Sequence, residues 1–169
     1  MGQGDGDVVL GGRDGPPDAY LRRIQAVVGE TGLAERVRFA DDSQDMPAVL
    51  KLADVVALPA TEPLSFARSI VAAQAMGKPV IVTNVGALPE TMMPAATGWL
   101  VPPDDIDELA RALDLALSLE DAVKDRLARR AREFVQSEFD VERSCRLALA
   151  VYRELLRRVP LAHAATSAS

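Results

Sequence analysis

Short apolar runs alternate with longer amphipathic stretches along most of the chain. Val8-Val9-Leu10, Val37-Arg38-Phe39-Ala40, Asp54-Val55-Val56-Ala57-Leu58, Pro79-Val80-Ile81-Val82-Thr83 and Gly98-Trp99-Leu100-Val101 predict five strands, most of them rich in Val or Ile and bounded by Gly, Pro or Asp. Between them apolar positions recur at helical spacing. Tyr20, Leu21, Ile24, Val27 and Val28 predict a helix over 17–31 that stops at Gly32. Asp45 is placed to cap a helix from Met46 to Leu52, with Pro47 tolerated in the first turn. Phe66 to Met76 reads as a third helix, stopped by Gly77. From Ile106 onward the pattern is helical only, with apolar stripes Leu109/Ala110/Leu113/Leu117, Val123/Leu127/Phe134/Val135 and Leu147/Val151/Tyr152/Leu155.

Strands that lack a polar face, separated by helices, imply a parallel sheet covered on both sides. The expected class is therefore α/β, a Rossmann-like doubly wound domain over 7–157 followed by C-terminal helices. An all-helical fold does not accommodate the Val/Ile-rich runs. Arg126, Arg129, Arg130 and Arg132 read as the solvated face of a helix, interleaved with Asp125 and Glu133. The small polar stretch 162–169 reads as a disordered tail.

Composition narrows the chemistry. A chain of 169 residues fits one domain with a real core. Its net charge of −6 argues against a nucleic-acid groove, yet leaves room for a small anion at a helix N-terminus. Cys145 has no second cysteine to pair with, so neither a disulfide nor a thiolate metal cluster is expected, and the usage suits the cytoplasm. The single histidine, His163, lies in the tail, which leaves no internal Ser-His pair or histidine metal site. The longest apolar run, 69–75, is too short to span a bilayer, and the polar, Gly-rich start does not resemble a signal peptide.

In a parallel α/β sheet, ligands bind outside the carboxyl ends of the strands. Four loops qualify: 11–15, 40–43, 60–67 and 84–88. The first offers Gly12 for close backbone approach and Arg13 for an anion, although such a loop can equally be a tight turn. It carries neither the dinucleotide fingerprint nor a P-loop. The third leads directly into the helix from Phe66. The N–H groups of Ser65, Phe66 and Ala67 would there meet an anion at the positive end of the helix, with Arg68 reinforcing it; Ser65 can also serve as an N-cap.

Three stretches then become specific: 61–68 (Thr-Glu-Pro-Leu-Ser-Phe-Ala-Arg), 73–81 (Ala-Gln-Ala-Met-Gly-Lys-Pro-Val-Ile) and 84–90 (Asn-Val-Gly-Ala-Leu-Pro-Glu). With Ala53-Asp54-Val55 and Thr97 to Asp105, in this order and spacing, the chain resembles the C-terminal domain of family 4 retaining glycosyltransferases over roughly 7–156. That family has the GT-B architecture, two facing Rossmann-like domains. The resemblance implies a nucleotide-diphospho-sugar donor, UDP- or GDP-linked, bound in this domain without a required metal or cofactor. It implies an acceptor such as a glycan or lipid, held mainly by an N-terminal domain, through which any peripheral membrane contact would run. Carried over by position, the base lies near Ala40, Asp41, Asp42 and Met46, and the diphosphate at Ser65, Phe66 and Ala67.

The departures are as informative. The family's two donor-site glutamates, separated by seven residues, fall on Leu64 and Ala72. Glu62 lies two residues before the first and is a candidate substitute. Glu90 matches a family glutamate and reads as a cap on its turn. The family's first strand and helix, with a diphosphate-clamping Arg and Lys, have no counterpart, so a domain of a longer enzyme, inactive alone, is expected. Two rival readings stand beside it: a degenerate non-catalytic module that binds only a nucleotide, and a GT-B-like epimerase, for which an internal histidine is missing.

Overall fold

The computed structural model describes residues 7–11, 19–40 and 45–158. They belong to two compact units, Met1–Val49 and Leu50–Ser169. In the first, β1 (Val8–Gly11) and β2 (Val37–Ala40) pair in parallel with Val8 opposite Val37, and α1 (Ala19–Glu30) connects them. Val8 and Val9 are about half exposed, so β1 is not sealed on both sides as the apolar run suggested. Asp45 caps α2 (Met46–Leu52) as predicted, its Oδ1 accepting the Ala48 N–H at 3.0 Å.

The second unit contains β3 (Val56–Leu58), β4 (Val80–Thr83) and β5 (Gly98–Val101), a parallel sheet in that order. The described strands thus form two hydrogen-bonded sheets rather than a single one. β3 is shorter than its apolar run. Its ladder opens with the Val56 N–H donating to Pro79 O, and Pro79 has no N–H with which to extend the pairing back towards Asp54.

Every residue of β4 is buried, and its alternation explains why. Val80 and Val82 pack on Ile70 and Ala73 of α3 (Arg68–Ala75). Ile81 turns the other way, towards Ala112 and Ala116 of α4 (Ile106–Leu117), with Val101 of β5. A strand with both faces covered needs no polar positions, and each side chain so buried contributes about 1.5–3 kcal/mol. Asp105 caps α4, accepting the Glu108 N–H at 2.9 Å.

α5 (Asp121–Glu138) packs along α3. α3 ends in a Schellman motif: Gly77, at φ +77°, donates to Gln74 O, and Lys78 donates to Ala73 O. Arg132 lies on the exposed face assigned to it and makes one further contact there. Its Nη2 donates to Met76 O at 3.1 Å and its guanidinium lies on Gly77, where any Cβ would collide with it. A cation at the negative end of a helix is the favourable sign. Arg126, Arg129 and Arg130 are exposed, as expected. α6 (Val141–Arg158) carries its apolar stripe into solvent: Leu147, Val151, Tyr152 and Leu155 are 52–64% exposed. No described helix is long and apolar enough to cross a membrane.

Candidate functional site

The carboxyl ends of β3 and β4 release two loops that are stitched together. Thr83, the last residue of β4, donates its hydroxyl to Ala60 O at 2.6 Å. Four residues on, the Ala87 N–H donates to Leu64 O at 3.0 Å. Gly86 makes that approach possible. Its φ is +53°, and a Cβ would lie 2.7 Å from Leu64 O and 2.8 Å from Leu64 N, closer than any side chain tolerates. The second loop then enters the 3-10 turn Leu88–Thr91, whose Leu88 and Thr91 are wholly buried.

The head of α3 differs from the sequence expectation. The helix begins at Arg68, with Ala67 at the N-cap and no side chain capping it. Ala67 O accepts the N–H groups of Ile70 (3.1 Å) and Val71 (3.2 Å). Ser65 is therefore not the cap. With Leu64 O engaged by Ala87, the chain through Ser65 and Phe66 stays out of the helix. Among the described residues no hydrogen bond engages the N–H groups of Arg68 and Ser69, the first two of the helix.

Beside this helix head lies a cleft of about 380 Å³, lined by Phe66, Arg68, Val71, Ala72, Ala75, Phe139 and Ser144. Phe66 meets Phe139 edge to face at 5.6 Å, and Phe139 meets Phe134 in the same manner. The turn between α5 and α6 is thereby pinned against the entry to α3, each aromatic pair adding about 0.5–1.5 kcal/mol. Arg68 is exposed at the rim, so its charge is available to a ligand. Ala72 forms part of the wall and Leu64 is 38% exposed; neither offers an acceptor.

The structure thus gathers Phe66, Ala67 and Arg68 at one helix head, with Ser65 just before it. Glu62 is exposed and makes no hydrogen bond or ion pair with this group among the described residues. Ala40 ends β2 and Met46 opens α2, both in the first unit. Gly12, Arg13, Asp41 and Asp42 lie outside the described residues. Glu90 does not cap its turn: its side chain is exposed and unbonded, and the turn is closed by the Thr91 hydroxyl donating to Leu88 O at 2.7 Å. Sequence reasoning passed over Gln74, Thr83, Thr91 and Phe139. The one available signal was polarity in apolar surroundings, such as Gln74 between alanines.

The arrangement suits an anion. Backbone donors at the positive end of a helix and a guanidinium beside them bind phosphate without rearrangement. Residues 5–118 match the family model described as glycosyl transferases group 1. A D-inositol 3-phosphate glycosyltransferase of Saccharomonospora viridis is 34% identical over 151 residues, 88% of this chain and 34% of the relative. A sucrose-phosphate synthase structure from Thermosynechococcus elongatus superposes with a TM-score of 0.77 at 34% identity, covering 89% of this chain and 38% of that one. The structure of Anabaena HepE in complex with UDP-glucose superposes with a TM-score of 0.72 at 29% identity, covering 79% of this chain and 37% of that one. The chain spans about a third of the length of these relatives.

Proposed function

The chain belongs to the group 1 glycosyl transferases, with the fold of one half of a GT-B enzyme, and on that premise we propose that it is the donor-binding part of a transferase. The diphosphate of a nucleotide-linked sugar sits at the head of α3, against the N–H groups of Arg68 and Ser69 and the Arg68 guanidinium. The single observation that carries this reading is the uncapped start of α3. A helix whose first N–H groups have neither a capping side chain nor a backbone partner leaves them to water or to an anion, and the exposed Arg68 beside them favours the anion.

The nucleotide is UDP in this reading, because HepE, similar over most of this chain, has been crystallised with UDP-glucose. Binding and transfer separate between parts of the enzyme. This chain holds the donor; a second domain holds the acceptor, and the exposed stripe of α6 is the surface against which it docks. Among the described residues the cleft lining offers no carboxylate or imidazole as general base. The reading therefore assigns this chain to positioning and charge neutralisation, with the departing diphosphate stabilised by the helix dipole and Arg68.

The test is a titration of the isotope-labelled chain with UDP, followed by amide NMR shifts. Saturable movement of the Arg68 and Ser69 amides, with the face of α4 unmoved, is the expected result. Shifts confined to other surfaces, or none at millimolar UDP, would reject the reading.

A further inference from the structure

Gln74 is wholly buried in the core beneath α3, among Ile70, Ala73, Leu88 and Met92. Its Nε2 donates to Thr91 O at 2.6 Å, bridging seventeen residues of sequence, and lies 3.3 Å from Ile70 O within its own helix. Both neighbours are carbonyl oxygens, so the amide nitrogen must face them, and the orientation of the side chain is determined. Its Oε1 is buried with no hydrogen-bond partner among the described residues.

That combination is a poor solution for stability alone. A methionine of similar length would fill the space without burying an unmatched carbonyl. What an amide adds is one directed bond from the last turn of α3 to the last residue of the 3-10 turn.

We infer that Gln74 is a positioning residue: it locks the 3-10 turn to α3 and so sets the loop after β4 against the backbone in front of the helix head. The constraints form a closed circuit. From α3 the chain of contacts runs through Gln74 to Thr91, which also ties back to Leu88 through its hydroxyl. From Leu88 it passes to Ala87, whose N–H holds Leu64 O, and from Leu64 the backbone returns through Ser65 to Ala67 and the start of α3. The side of the circuit through Ser65 and Phe66 makes no hydrogen bond of its own among the described residues and is held only by Phe66 resting on Phe139. Gln74 stands opposite it. Releasing Gln74 frees the turn, then Ala87, then the segment that presents the helix head. The link to ligand binding rests on the donor reading above; the lock itself does not.

The experiment is hydrogen–deuterium exchange on the whole chain, wild type against Gln74→Met and Gln74→Asn, with UDP affinity and melting temperature measured on the same samples. Gln74→Asn keeps the amide but is one methylene too short to reach Thr91, so it reports on the bond should Gln74→Met not fold. Both variants are expected to exchange about fivefold faster over 62–67 and 84–91, the loss of one hydrogen bond. β4 and β5 keep wild-type protection, and UDP binds more weakly by a similar factor. Wild-type exchange in both loops, or an increase spread evenly through β4 and β5, overturns the inference. If the wild-type chain binds no UDP, the donor reading fails while the exchange data still decide the lock.

Discussion

At Leu64 and Ala72, where the family resemblance places two glutamates, the side chains are apolar and offer a sugar or ribose no acceptor. Leu64 still gives its carbonyl to Ala87, and Ala72 still lines the cleft on α3. The double variant Leu64→Glu, Ala72→Glu is therefore expected to fold and to tighten UDP-sugar binding at least tenfold, since a charge-assisted hydrogen bond contributes about 1.5–3 kcal/mol. Calorimetry on both proteins checks this; unchanged affinity would mean the pocket has been rebuilt around other groups. Gly86 is the opposite case, a position with no latitude. Gly86→Val combines a positive φ with a Cβ inside the Leu64 backbone and is predicted to destabilise by about 2–4 kcal/mol, measured by urea unfolding. A midpoint within error of wild type would show that the two loops are not packed as described. All three residues were visible in the sequence, but only as motif positions. That Gly86 is required by a backbone 22 positions away is a fact of packing, which periodicity does not carry.

Among the elements, α3 is the best example of what pattern conveys and what it leaves out. Its existence and its Gly77 stop follow from spacing and composition, whereas the burial of Gln74 beside Ile70 and Ala73 does not. Its start does not, because the bond from Ala87 to Leu64 O holds Ser65 and Phe66 out of the helix. Nor does the side-chain cap at its end: of four exposed arginines of similar appearance in α5, Arg132 is the one that donates to Met76 O. Arg132→Ala is expected to cost about 1–2 kcal/mol, through the lost carbonyl bond and dipole interaction, against less than about 0.5 kcal/mol for Arg129→Ala. Thermal unfolding of the pair distinguishes a cap from a solvated charge; equal effects would make Arg132 another solvated charge. β4 was the most legible element, since a Val-Ile-Val run between Pro and Thr has few other places to go.

For the molecule as a whole, the sequence conveyed the α/β class and the family, because both depend on strand periodicity and on motif order. The exposure of α6 was not legible. An amphipathic stripe reads the same whether its partner lies in the same chain or elsewhere, and here Leu147, Val151, Tyr152 and Leu155 lie in solvent. Val151→Glu with Leu155→Glu should consequently leave stability in thermal unfolding nearly unchanged, within about 0.5 kcal/mol. A loss of several kcal/mol would show that the stripe packs within this chain. The central claim, that the uncapped head of α3 holds the diphosphate of a sugar donor, is tested most directly by calorimetric titration with UDP, UDP-glucose and glucose, in wild type and Arg68→Ala. The account predicts that UDP and UDP-glucose bind with similar affinity, that glucose does not bind, and that Arg68→Ala weakens both nucleotides about tenfold. Nucleotide binding indifferent to Arg68, or absent altogether, would contradict it.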